Sequence, residues 1–101
     1  MQTVVYGILE EEKQRNIERQ EIYSKEITDL PKGSIIVKQV GKRKYYYRYF
    51  RDGNRMKSEY LGKDEKVAEE VKRRIAERKH LQGILKRLKL EYKQISKIVK
   101  E

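Results

Sequence analysis

Residues 44–61 read Lys-Tyr-Tyr-Tyr-Arg-Tyr-Phe-Arg, then Asp-Gly-Asn, then Arg-Met-Lys-Ser-Glu-Tyr-Leu. Tyrosine and phenylalanine at this density suit the half-buried pleated surface of a strand. Between the two runs, Asp52-Gly53-Asn54 supplies residues that tolerate the positive φ of a tight hairpin loop. The stretch predicts an antiparallel hairpin. A lone hairpin is marginal in water, so the chain must supply a further strand and a covering layer. The strand is at hand in Ser34–Val40, Ser-Ile-Ile-Val-Lys-Gln-Val, with Gly41-Lys42 as the turn into the tyrosine run.

The covering layer has to be helical. Residues 3–29 hold Glu, Lys, Arg, Gln and Ile and no proline, and they predict a first helix. Its apolar stripe is thin, with a gap around residues 10–16. The one proline, Pro31, disfavours helix in the residue before it and ends the helix. Residues 64–100 predict a second, longer helix with Asp64 as its N-cap. Val67, Val71, Ile75, Leu81, Leu85, Leu88, Tyr92, Ile95 and Val99 recur there at helical spacing. From Leu81 to Val99 the steps alternate between four and three, as in a heptad seam. The predicted fold is α+β: a helix, a three-stranded antiparallel meander over 34–61 and a long helix, in one domain over residues 1–101.

Successive side chains of a strand point to opposite faces. Tyr45, Tyr47 and Tyr49 therefore share a face. A two-residue turn at Asp52-Gly53 adds Met56, Ser58 and Tyr60 to it. Tyr46, Arg48 and Phe50 share the other face with Arg55, Lys57 and Glu59. Sliding the turn by one residue changes the pairs and keeps the faces. The expectation is a helix over the Tyr45, Tyr47, Tyr49, Met56 and Tyr60 face, joined by Ile35 and Val37. Tyr46, Arg48, Phe50 and Lys57 would then stand in water. Lys38 and Lys44 would join them, and Lys42, Arg43, Arg51 and Arg55 would form the rim.

Charge gives that surface a purpose. The chain carries +10, and residues 32–63 hold ten Lys/Arg against two Asp/Glu. Residues 1–31 have the opposite balance, four against seven. A dense block of one sign attracts polyanions. Lysine and arginine neutralise phosphates and release counterions, while exposed rings stack on unpaired bases. Arginine on a strand in the major groove reads guanine edges. The expected partner is nucleic acid, DNA rather than RNA. The competing reading is structural: the tyrosines are strand formers and the cations keep an edge from aggregating.

The segment Leu30-Pro31-Lys32-Gly33-Ser34-Ile35, with Tyr45-Tyr46-Tyr47, Tyr49, Arg51-Asp52-Gly53 and Ser58-Glu59-Tyr60-Leu61-Gly62-Lys63, resembles small uncharacterised proteins of bacteria, archaea and their mobile elements. The resemblance covers residues 30–75 and implies no particular activity. At the level of architecture, the arrangement is similar to the three-stranded DNA-binding domains at the start of tyrosine-type integrases. There a basic, tyrosine-rich sheet packs on one helix and enters the major groove. That similarity implies DNA binding by the sheet. The long acidic first helix and the long last helix depart from it.

Chemistry is poorly provided for. The chain has no Cys, which excludes disulfides, thiolate metal sites and a Cys nucleophile. His80 is the lone histidine, within the cationic Arg78-Lys79-His80-Leu81 stretch, and one His builds no metal site. Gly41, Gly53 and Gly62 are turn glycines. Glu10, Glu11, Glu12 and Glu18 read as a solvated helix face. The expectation is no enzyme, no metal and no cofactor. No long apolar run spans a membrane. The start, Met1 to Leu9, lacks a basic leader and runs into Glu10, so it does not read as a signal peptide. A cytoplasmic location follows as the expectation. The basic last helix has some attraction to anionic lipid, opposed by its own acids and by its lack of Trp and Phe.

A protein-interaction role competes with the nucleic-acid one. A helix of about 37 residues spans about 55 Å, far beyond the reach of seven-residue strands. Half of it needs another partner. The Leu81–Val99 seam could pair with the first helix, with a second copy as a homodimer, or with a larger nucleic-acid-handling protein. A phage or mobile-element inhibitor of a nucleic-acid-guided defence effector would be one such case.

Overall fold

The computed structural model of the protein describes residues 2–99. Among them the order is α1 (Gln2–Thr28), β1 (Ser34–Val40), β2 (Arg43–Asp52), β3 (Arg55–Gly62) and α2 (Glu65–Ile98). The α+β architecture is the one predicted. Helix α1 runs without a break through Gly7. The expected last helical residue, Lys100, lies outside the described residues.

Local chemistry accounts for the boundaries. The Thr28 hydroxyl donates to the Lys25 carbonyl at 2.7 Å, and Pro31 follows. Asp64 caps α2: its Oδ1 accepts the Lys66 backbone N–H at 2.9 Å, one of the orphan donors of the first turn.

The sheet has the order β1-β2-β3, all antiparallel. Both hairpins turn on two residues, Gly41-Lys42 and Gly53-Asn54, bracketed by the pairs Val40–Arg43 and Asp52–Arg55. Each loop opens on a glycine at φ 63°, a conformation that costs glycine little. The second loop therefore sits one residue beyond the expected Asp52-Gly53. As anticipated, the slip leaves the faces unchanged. Tyr49 pairs with Ser58, Tyr47 with Tyr60 and Arg48 with Glu59. A bulge follows between Tyr46 and Tyr47.

The chain forms two compact units, Leu30–Lys79 and Met1–Asp29 with His80–Glu101. In the first, the sheet packs with the opening half of α2, and Tyr46, Ala68 and Ile75 are its buried apolar residues. In the second, α1 packs with the closing half of α2. Ile27, Leu81, Leu88 and Val99 are buried there, together with the polar Lys13 and Asn16. Asn16 Nδ2 donates to the Leu88 carbonyl at 2.9 Å, and Gln20 Nε2 donates to Asn16 Oδ1 at 2.6 Å. Lys13 Nζ stands 5.3 Å from the centre of the Tyr92 ring. The seam residues Leu88 and Tyr92 thus face α1 of the same chain.

Candidate functional site

The segment before β1 determines how the sheet is held. Gly33 has φ 113°, and a Cβ there would strike the Tyr49 carbonyl oxygen and come within 2.9 Å of the Phe50 Cβ. Only glycine lets the chain pass so close to β2. On either side, Arg78 donates to the Leu30 carbonyl at 2.5 Å and Arg48 to the Lys32 carbonyl at 2.7 Å. The Leu-Pro-Lys-Gly motif is a structural joint.

The strand register decides the two faces. β1 pairs Val37 with Tyr46, Ile35 with Arg48 and Ile36 with Tyr47. One face therefore carries Ile35, Val37, Lys44, Tyr46, Arg48, Phe50 and Lys57. The first half of α2 lies over it. Gly33, Ile35, Val37 and Tyr46 face Ala68 and Ile75 across a cavity of about 510 Å³. Tyr46 is only 8% exposed. The covered face is thus the one expected to be open, and the correction has consequences for several residues.

Tyr46 is shielded and offers no ring to a ligand. Arg48 keeps 13% of its side chain exposed and spends its donors internally. It meets Glu59 at 3.3 Å, and its Cζ lies 3.9 Å from the centre of the Phe50 ring. Lys57 is exposed but paired with Asp52 at 2.6 Å. That hydrogen bond, with the lysine's charge, holds the Asp52 carboxyl below its ordinary value of 3.8. Lys44 lines the cavity under α2. Ile35 and Val37 stand on the Tyr46 side, not with Tyr47.

The other face is open. It presents Ile36 and Lys38 of β1, Arg43, Tyr45, Tyr47, Tyr49 and Arg51 of β2, and Met56, Ser58 and Tyr60 of β3. Tyr60 is 54% exposed and Met56 is similarly open. The rings form a tilted group: Tyr47 and Tyr60 have centres 5.2 Å apart at 48°, Tyr45 and Tyr60 6.5 Å apart at 41°. Two cations lie against them, Lys38 Nζ 4.7 Å from the Tyr47 centre and Lys63 Nζ 5.6 Å from that of Tyr45. Arg43 and Arg51 stand exposed towards the ends of β2, with Lys42 and Arg55 at the loops.

Lys38, Lys42, Arg43 and Arg51 therefore remain candidates, while Arg55, at the loop, has the strand parity of Lys57 and falls with the covered face. Tyr45, Tyr47, Tyr49, Tyr60 and Lys63 replace Tyr46, Arg48, Phe50, Lys44 and Lys57. A signal for this lay in the Gly41-Lys42 turn. A two-residue loop there sets Ile35 and Val37 beside Tyr46, and a pair of alternating aliphatics marks the face that a helix covers. Among the described residues, no group of three or more His, Cys, Asp or Glu could hold a metal ion. No helix among them is long and apolar enough to cross a membrane.

These features define a small α+β protein built on a three-stranded antiparallel sheet with one aromatic, basic face uncovered. Residues 9–73 match the family model of a domain of unknown function, DUF6788, and the chain belongs to that family. The match spans most of α1, the whole sheet and the start of α2. No curated protein and no solved structure matches the chain.

Proposed function

We propose that this protein is a non-enzymatic nucleic-acid-binding module of the cytoplasm, acting through the open face of its sheet. The observation that carries the reading is the placement of Lys38 against Tyr47 and Lys63 against Tyr45 on an uncovered surface. Cations and rings interleaved at this spacing meet both parts of a nucleic acid. The ammonium and guanidinium groups answer phosphates with release of counterions, and the rings answer bases. Arg43, Arg51 and Lys42 extend the positive field along both ends of the hairpins. The +8 balance of residues 32–63 points the same way. The architectural similarity to integrase arm domains favours DNA, as an analogy of fold.

Fluorescence anisotropy with labelled oligonucleotides tests it. Affinity is expected at about 50 mM salt and should fall steeply towards about 200 mM. Arg43→Ala and Arg51→Ala should each lower the salt slope by about one. Absence of binding to every oligonucleotide at the lower salt overturns the reading.

The helical unit favours a second reading, a protein-interaction module. Val5, Ile8, Ile22, Leu90 and Ile98 stand more than half exposed there, and Val5 and Ile8, one turn apart on α1, offer an apolar spot to a partner. The Leu81–Val99 seam is a poor route to a homodimer, since Leu81, Leu88 and Val99 are already buried. Light scattering across concentration checks this second role. A strict monomer that copurifies with no protein counts against it.

A further inference from the structure

We infer that the open face takes single-stranded rather than duplex nucleic acid, with bases stacked on Tyr47 and Tyr60. The inference rests on the nucleic-acid reading above and names the form of the polymer.

The side-chain chemistry of the face decides between the two forms. A duplex shows a sheet its base edges, which are rows of hydrogen-bond donors and acceptors. Those edges are read best by forked or amide side chains, which make two hydrogen bonds to one base. Over its middle, this face offers Ile36, Tyr45, Tyr47, Tyr49, Ser58 and Tyr60, mostly broad rings that each carry a single hydroxyl. Pressed into a major groove, their ring surfaces would strip water from base edges, and one hydroxyl per ring returns fewer hydrogen bonds than the edges lose. Arg48, the one guanidinium in the middle of β2, points to the other face and is held by Glu59 and the Lys32 carbonyl.

Unpaired bases present something different. Each has a flat apolar surface, and tyrosine rings stack on it whatever the sequence. Tyr60 is well exposed and sits beside both Tyr45 and Tyr47. The rings are tilted rather than stacked on one another, so ring surface is left for a base. Lys38 and Lys63 rest over two of these rings on flexible stems. An exposed lysine over a ring is held more weakly than a stacked base. A base can displace it, and the freed ammonium then meets the adjoining phosphate. Arg43 and Arg51 stand eight residues apart on β2, about 26 Å along the strand. A single strand laid along β2 would meet a cation at each end of the aromatic stretch.

The test compares fluorescein-labelled 20-mers of oligodeoxythymidine and oligouridine with a mixed-sequence 20-base-pair DNA duplex at one salt concentration. Binding of at least one single strand about 10-fold tighter than the duplex is expected. The tighter of the two identifies the sugar. Tyr60→Leu should weaken single-strand binding by about 5-fold or more and leave the duplex affinity within twofold. Tyr60→Phe should retain binding, since the ring is kept. Tyr47→Leu should behave as Tyr60→Leu does. Should Tyr47→Leu lower the thermal midpoint, the more exposed Tyr60 pair of variants decides. A duplex bound as tightly as the single strands, or Tyr60→Leu without effect, overturns this inference while leaving nucleic-acid binding intact. No binding of any of the three at low salt overturns both.

Discussion

Arg48 donates from its guanidinium to the Lys32 carbonyl at 2.7 Å. The same group holds Glu59 across the β2–β3 pair and lies over the Phe50 ring. A cation that reads in the sequence as a phosphate contact is thus a clasp joining three parts of the sheet unit. Its charge is matched by Glu59 and its donors by a backbone carbonyl that otherwise lies in the joint before β1.

Arg48→Ala should therefore lower stability by about 2 kcal/mol, the range for hydrogen bonds to charged groups. Arg48→Lys should recover little, because an ammonium lacks the fork that serves Glu59 and Lys32 together. Denaturant unfolding measures both. Oligonucleotide affinity, read well below the thermal midpoint, should stay within twofold. A collapse of affinity with stability intact would return Arg48 to the binding surface.

Two glycines should respond with opposite signs. Gly33→Ala places a methyl group against the Tyr49 carbonyl at a backbone angle of 113°, and a loss of at least about 2 kcal/mol follows. Gly83 lies inside α2 with open space around its missing side chain. Gly83→Ala should raise stability by about 1 kcal/mol. Thermal and denaturant midpoints of the two variants check the contrast.

Leu88 and Asn16 meet in the helical unit, where the Asn16 amide donates to the Leu88 carbonyl. Leu88→Ala should cost about 2–3 kcal/mol through the cavity it leaves. Asn16→Ala should cost about 1–2 kcal/mol and deprive Gln20 of its acceptor. Neither variant should change the mass measured by light scattering, because the seam serves α1 of the same chain. A dimer in the parent protein that Leu88→Ala dissociates would contradict that.

Asp52 provides a pH marker. Lys57 holds its carboxyl below 3.8, the hydrogen bond being the larger influence and the charge the second. The folded value is lowered, so the pair's contribution is present above the ordinary value. It is lost as pH falls through the lowered one. NMR titration of the Asp52 carboxyl should show that midpoint. In Lys57→Ala it should move up towards 3.8. Stability at neutral pH should barely change, since both partners are exposed.

Much of this molecule was legible one residue at a time. Alternation in Lys44–Leu61 and the glycines at 41 and 53 gave the strands and their turns. Pro31 and Asp64 marked where helices stop and start, and the faces followed from parity, so that Tyr47 and Tyr60 were bound to share a side. Which side meets the helix was decided only in three dimensions. Both faces carry cations in similar number, and four tyrosines on one face against Tyr46 and Phe50 on the other do not by themselves tell which face a helix covers. The choice fell to packing. Ala68 and Ile75 on α2 are buried against Ile35 and a single ring, Tyr46, whereas Tyr45, Tyr47, Tyr49 and Tyr60 together would hold a helix off the sheet. Burial of Arg48 is affordable on the covered side because Glu59 and the Lys32 carbonyl meet it there.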